Sequence, residues 1–124
     1  QAMGWLCSEI KSTGKSAGLC LTLNTPLESV RKYVSQIEIL MFLAIREPGR
    51  SGQMFEMETL KRIEEVSHWK ERDQFDLCVD GGVSESNIHL LNVEYVVSGS
   101  SVLEDKTPIR QIMRLQTSNN YEAT

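Results

Sequence analysis

Asp80 stands at the end of an apolar run, Phe75, Leu77, Cys78 and Val79, and two glycines, Gly81 and Gly82, follow it at once. A carboxylate at a strand end can carry a proton or ligate a metal ion. Glycines just past a strand let the backbone turn sharply and bring bare N–H groups close to an anion. The pattern returns where Val93-Glu94-Tyr95-Val96-Val97 runs into Ser98-Gly99-Ser100. Two neighbouring strands that both end in small, donor-rich turns predict a phosphate pocket at the C-terminal face of a parallel sheet. On residue type alone Asp80 also suits a plainer role, capping the loop that follows its strand.

Other candidate groups compare poorly. Cys7, Cys20 and Cys78 are odd in number and far apart, and read as buried free thiols of a reducing compartment. His68 lies late in a helical stretch beside Trp69 and reads as a surface residue. His89 reads as an ordinary helical residue. Glu47 ends a strand and leads into the loop that holds Pro48, Gly49, Arg50, Ser51 and Gly52. Arg50 there either adds a charge-assisted contact to an anion or is simply solvated.

The elements that position these groups alternate along the chain. Trp5, Leu6 and Ile10 mark a first amphipathic helix that Gly14 ends, and Ala17 to Leu23 is a short apolar strand. Thr25-Pro26-Leu27-Glu28 has the form of a capping box with proline at the first helical position, and Leu27, Val30 and Val34 supply that helix's buried stripe. Ile37 to Ile45 reads as a fully buried strand. Met57, Leu60, Ile63 and Val66 mark a long helix. The strand into Asp80 follows, then a helix through Ile88, Leu90 and Leu91, then the strand from Val93. Thr107-Pro108 opens a last helix carrying Ile109, Ile112, Met113 and Leu115, before a polar tail. One helix followed by four βα units predicts an α/β fold with a parallel sheet and right-handed crossovers, as one domain over residues 1–124.

The bulk properties fit one folded domain: 124 residues, 40% hydrophobic, 24% charged, with a formal net charge of −4. That charge argues against a nucleic-acid backbone or an anionic membrane surface as partner, and leaves a small phosphorylated ligand open. No apolar run approaches the ~20 residues that span a bilayer, and no signal-peptide pattern opens the chain, so a cytoplasmic location is expected.

Glu47-Pro48-Gly49, Gly52-Gln53, Phe55, Val79-Asp80-Gly81-Gly82-Val83 and Val97-Ser98-Gly99-Ser100 occur in the order and spacing of the ribulose-phosphate 3-epimerases. The chain resembles the C-terminal half of that family's barrel. Leu19 followed by Thr25-Pro26 is most similar to the allulose-6-phosphate 3-epimerase branch. The resemblance implies a (βα)4 half of a TIM (β/α)8 barrel and an isomerase that inverts C3 of a phosphorylated ketose. It matches Asp80 to a metal-binding acid/base aspartate, and Gly49, Gly52, Gly81, Gly82, Gly99 and Ser100 to the turns that hold the phosphate. It implies a divalent metal (zinc, iron or manganese), with a first aspartate and two ligand histidines on strands before this segment. The sequence departs from the family at Arg50-Ser51, where the family has Phe-Gly, at Ala44, where it places a methionine, and at Thr22-Leu23, where it has Asn-Pro or Lys-Pro.

Epimerisation needs a proton carrier on each face of the substrate, and this segment offers only Asp80. One carboxylate does not hold a zinc-like ion, which takes about three protein ligands. The isolated chain is therefore expected to be inactive or metal-free, and a non-catalytic sugar-phosphate-binding or protein-interaction module is the competing reading. Half a barrel also leaves two open edges and an uncovered inner face, onto which Ala17 to Leu23 and Glu38 to Ile45 would project apolar side chains. Homodimerisation through the open sheet, or pairing with a complementary half barrel, is the expected remedy.

Overall fold

Four parallel strands, β1 (Gly18–Leu21), β2 (Ile39–Leu43), β3 (Asp76–Asp80) and β4 (Tyr95–Val97), lie side by side in chain order. The structure is a computed structural model that describes residues 2–47, 49, 50 and 52–98. Helix α1 (Ala2–Ser12) precedes the sheet, while α2 (Leu27–Arg31) and α3 (Glu58–Ser67) connect β1 to β2 and β2 to β3. Sequential strand order with same-handed crossovers places the connecting helices on one face, which is the geometry of a barrel wall rather than of a doubly wound sheet. The chain is thus an α/β half of a TIM barrel. The expected last helix and polar tail lie outside the described residues.

Strand alternation separates the two faces. Leu21, Leu40, Phe42, Leu77 and Val79 point to the helix side and are at most 1% exposed. They pack with Val30, Val34, Ile37, Ile63, Val66, Trp69 and Ile88 into one core. The opposite face carries three rows set by the register: Gly18–Ile39–Asp76, then Cys20–Met41–Cys78–Tyr95, then Leu43–Asp80–Val97. Ile39, Tyr95 and Val97 are 36%, 48% and 43% exposed there. β2 is therefore not fully buried, as its unbroken apolar run suggests. Its alternate side chains meet an inner face that no opposite wall covers among the described residues. Cys20 shares that face and is exposed rather than buried, while Cys7 and Cys78 are buried as expected.

The helices depart from their patterns for geometric reasons. A repeat of three residues falls roughly 60° short of a helical turn, so the series from Met57 to Val66 drifts around the helix. Met57 ends up 56% exposed just before α3, and Thr59 joins Ile63 and Val66 as the buried stripe. In α1 only Cys7 of the described side chains is buried, while Trp5, Leu6 and Ile10 remain exposed. The helix meets the turn after α2 through Gly4, where a Cβ would stand 3.3 Å from Tyr33 Cε1. The expected capping box does not form at α2, since Pro26 is the N-cap and no side-chain cap bond is made to the first-turn amides. The Thr25 hydroxyl instead accepts the Thr22 N–H (3.2 Å) and lies 3.0 Å from the Thr22 hydroxyl. After Asp80 the expected helix is a short 3₁₀ turn, Ile88–Leu90. Its spacing buries Ile88 and Leu91 and leaves Leu90 46% exposed.

Two glutamates fasten the strand starts. Glu38 Oε2 accepts the Ala17 N–H (2.7 Å), and Glu94 Oε1 accepts the Leu77 N–H (2.7 Å). Lys11 pairs with Glu38 at 3.2 Å, and Arg72 grips both oxygens of Glu94. The Ala17 N–H first, and then Lys11, hold the Glu38 carboxyl below the usual glutamate range. A carboxyl depressed in the folded state stabilises the fold above its unfolded pKa, and that contribution is lost as pH falls through the folded one. Glu38→Gln, which keeps the acceptor and loses the titration, is therefore expected to flatten the acid limb of a stability–pH profile below the ordinary glutamate range. Urea unfolding at stepped pH reads this, and an acid limb with unchanged slope would contradict it.

Candidate active site at the C-terminal ends of the strands

Past Asp80 the backbone reverses through Gly81 (φ 119°) and Gly82 (φ 66°), both in the region that excludes most side chains. The turn is also tightly packed. A Cβ on Gly81 would stand 2.9 Å from Ile45 Cγ2, and one on Gly82 would overlap the Phe55 amide and lie 2.7 Å from Phe55 Cα. The turn after β3 is thus pressed against the segment that leaves β2. Backbone bonds fix the joint: Ala44 N–H donates to Asp80 O and Glu56 N–H donates to Ala44 O, each at 2.8 Å.

Amide side chains hold both turns in shape. Gln53 Nε2 donates to the carbonyls of Glu47 and Arg50, each at 2.6 Å, and its Oε1 accepts the Glu47 N–H at 3.0 Å. This clasp folds the loop that contains Gly49 (φ 92°) and Gly52 (φ 77°). Asn87 Nδ2 donates to Gly82 O and its Oδ1 accepts the Ser84 N–H, both at 2.9 Å. Ser98 at the end of β4 donates to Val83 O at 3.1 Å, which ties the third strand end to the same cluster. The structure therefore brings Asp80, Gly81 and Gly82 together with the β2 loop. Gly99 and Ser100 lie outside the described residues. Gln53 enters the sequence reading only as part of a motif and Asn87 not at all. The signal for both is an amide side chain within a few residues of turn glycines. Arg50 is exposed, with Nη1 2.5 Å from Glu47 Oε2, so its charge is engaged within its own loop.

Asp80 shares a row with Leu43 and Val97, and its side chain belongs to the open inner face. Among the described residues it forms no ion pair. Its charge is felt by two thiols on that face. Burial first, and the Asp80 carboxylate second, push the Cys20 and Cys78 thiols up. Both stay protonated at neutral pH, which makes them poor nucleophiles and poor metal ligands.

The histidines stand elsewhere. His68 follows α3 with Nδ1 2.8 Å from Glu64 O, at the end of the sheet opposite Asp80, and His89 is exposed in the turn over the helix side. A groove of about 340 Å³ beside His68, lined by Leu60, Ile63, Leu90 and Asn92 among others, is likewise remote from the Asp80 end. Among the described residues no group of three or more His, Cys, Asp or Glu side chains converges to hold a metal ion. Asp80 can serve as one ligand, so these residues do not by themselves make up the coordination sphere of the expected divalent metal. Among them, too, no helix is long and apolar enough to cross a membrane.

Comparison with known proteins agrees with this geometry. The sequence profile described as the Ribulose-phosphate 3 epimerase family matches residues 2–103. The ribulose-phosphate 3-epimerase of Escherichia coli K12 is 31% identical over 100 residues, which are 77% of this chain and 44% of that protein. The protein of the same name from Helicobacter pylori is 33% identical over 102 residues, 78% of this chain and 46% of its own length. The one from Schizosaccharomyces pombe is 26% identical over 116 residues, covering 91% and 50%. The chain spans about half the length of the curated relatives it matches. With its parallel half barrel and its Asp-Gly-Gly turn packed on the loop after β2, the chain belongs to the ribulose-phosphate 3-epimerase family.

Proposed function

We propose that the chain supplies the phosphate-binding turns and one proton carrier of an epimerase acting at C3 of a phosphorylated ketose. The observation that carries this reading is Asp80 at the open end of β3, next to a glycine turn that packs against Ala44, Ile45 and Phe55, which flank the loop of Gly49 and Gly52. The amides of Gly49, Gly52, Gly81 and Gly82 bind the phosphate, joined by Gly99 and Ser100 after β4. With the phosphate anchored, the sugar lies over the inner face toward Asp80. The carboxylate takes the proton from C3 on one face of the substrate, leaving an enediolate, and an acid beyond the described residues returns a proton to the other face. Run in reverse, Asp80 is the donor, so charge and protons balance in each direction. A divalent metal would polarise the substrate oxygens when bound, with Asp80 as one of its ligands.

The second proton carrier and the remaining metal ligands come from the other half of a barrel, and residues 1–124 act as one unit of that assembly in the cytoplasm. Deuterium wash-in at C3 of ribulose 5-phosphate, followed by mass spectrometry in deuterated buffer with zinc, iron or manganese supplied, tests the reading. The chain combined with the unmatched portion of the Escherichia coli relative is expected to exchange the C3 proton. Binding of the sugar phosphate without exchange would instead assign the chain to the non-catalytic module reading.

A further inference from the structure

The turns assigned to the phosphate follow β2, β3 and β4, and the end of β1 takes no part in that reading. Thr22 comes directly after β1, whose last residue, Leu21, pairs with Phe42. One residue further on, alternation returns the chain to the inner face, so Thr22 joins Leu43, Asp80 and Val97 as the β1 member of their row. Neighbouring strands stand about 4.8 Å apart, which sets Thr22 and Asp80 roughly 10 Å from each other across Leu43. Thr22 is half-buried and its hydroxyl is held: it lies 3.0 Å from the Thr25 hydroxyl, which also accepts the Thr22 N–H at 3.2 Å. A hydroxyl both donates and accepts, so this one contact leaves it able to bond a second polar group.

Arg62 reaches this loop from α3. Its Nη1 donates to Thr22 O at 2.7 Å, and its Nη2 donates to Thr25 O. The guanidinium lies 5.6 Å from the centre of the Phe42 ring, which belongs to the buried core. Among the described residues Arg62 forms no ion pair. Burial lowers its pKa from the usual arginine value, against the opposing charges of Glu58 and Glu65. A guanidinium drawn out of water without a carboxylate partner is a costly choice for a turn that a neutral side chain could close. Two main-chain carbonyls held by one planar fork fix both ends of Thr22-Leu23-Asn24-Thr25 at once, and with them the direction of the Thr22 side chain.

We infer that Thr22 recognises the sugar end of the substrate, its hydroxyl meeting the C1 hydroxyl of the ketose, and that Arg62 is a positioning residue acting through the Thr22 loop. The inference rests on the epimerase reading for the orientation of the ligand. With the phosphate at the glycine turns and C3 over Asp80, the unphosphorylated end of the sugar runs toward β1. Amide shifts of the full chain are followed in two titrations, one with ribulose 5-phosphate and one with inorganic phosphate, and the ratio of the two affinities is the readout. That ratio cancels any effect of the arginine charge on the phosphate group. Thr22→Val is expected to lower the preference for ribulose 5-phosphate about 3- to 10-fold, the worth of one neutral hydrogen bond, with phosphate affinity unchanged. Arg62→Met should lower the preference by a similar factor, and the double variant by no more than either change alone. Arg62→Lys, which keeps one donor in reach, should show a smaller loss and serves alone if Arg62→Met does not fold. An arginine that only stabilises the fold would lower the urea midpoint and leave the preference intact, and no loss of preference in any folded Arg62 variant would overturn its positioning role. An unchanged preference in Thr22→Val, or additive losses in the double variant, would overturn the inference while the phosphate reading stands. A chain that binds neither ligand would overturn the epimerase reading, and the inference would fall with it.

Discussion

Asp80→Asn is expected to lower C3 isotope exchange in the completed barrel by about 10²- to 10⁴-fold, the range that one positioned proton carrier contributes. The substitution keeps the shape of the side chain and the backbone bond from Ala44 N–H to the residue 80 carbonyl, so the fold and the glycine turns should persist. Phosphate affinity is expected to be unchanged, because the amides proposed to bind it belong to other residues. An independent readout accompanies the kinetic one. The Asp80 charge is one of the causes that raise the Cys20 and Cys78 thiols, so both should fall toward the ordinary thiol range in the variant. Thiol titration by ultraviolet absorbance measures this without any turnover. Exchange that survives Asp80→Asn would show that the proton is carried by another group.

Gly82→Ala is expected to destabilise the fold by about 3 kcal/mol or more, the sum of a left-handed backbone penalty and an overpacking penalty. The backbone cost follows from φ of 66°, and the overpacking from a methyl group driven into the Phe55 backbone rather than into a yielding side chain. Gly52→Ala separates the two. Its φ is 77° but nothing lies within 4 Å of the added carbon, so only the backbone cost of about 1–2 kcal/mol should appear. Urea denaturation of the two variants should differ by the packing contribution. Equal losses would mean that the Gly82 turn is not pressed against the Phe55 backbone in solution, and the site would then lose its geometry.

The strands and their order were legible because each combines an apolar run with a turn signal at its end, and the strand into Asp80 has both most clearly. The faces were not, since Ile37 to Ile45 is apolar throughout and periodicity alone cannot tell a doubly covered strand from one with an open face. The inner face shows only once register sets Met41 beside Cys20 and Cys78. The stripe of α1 misled for a related reason: amphipathicity says that a face seeks cover and not that the cover is near. The left-handed turns at Gly49, Gly52, Gly81 and Gly82 could be read directly, because glycine types and spacing announce left-handed backbone. The clasps made by Gln53 and Asn87 leave only a general signal, amides near turn glycines, because their partners depend on how loops fold back over five or six residues. The capping box at Thr25 failed in the same way, with a side chain finding a nearer partner in Thr22.

Backbone amide shifts during a titration with ribulose 5-phosphate test most directly whether the strand ends form one sugar-phosphate site. Gly49, Gly52, Gly81 and Gly82 should shift together, with a single apparent affinity, and Asp80 should shift with them. Shifts confined to the helix side of the sheet, or glycine loops that respond with unrelated affinities, would contradict the account.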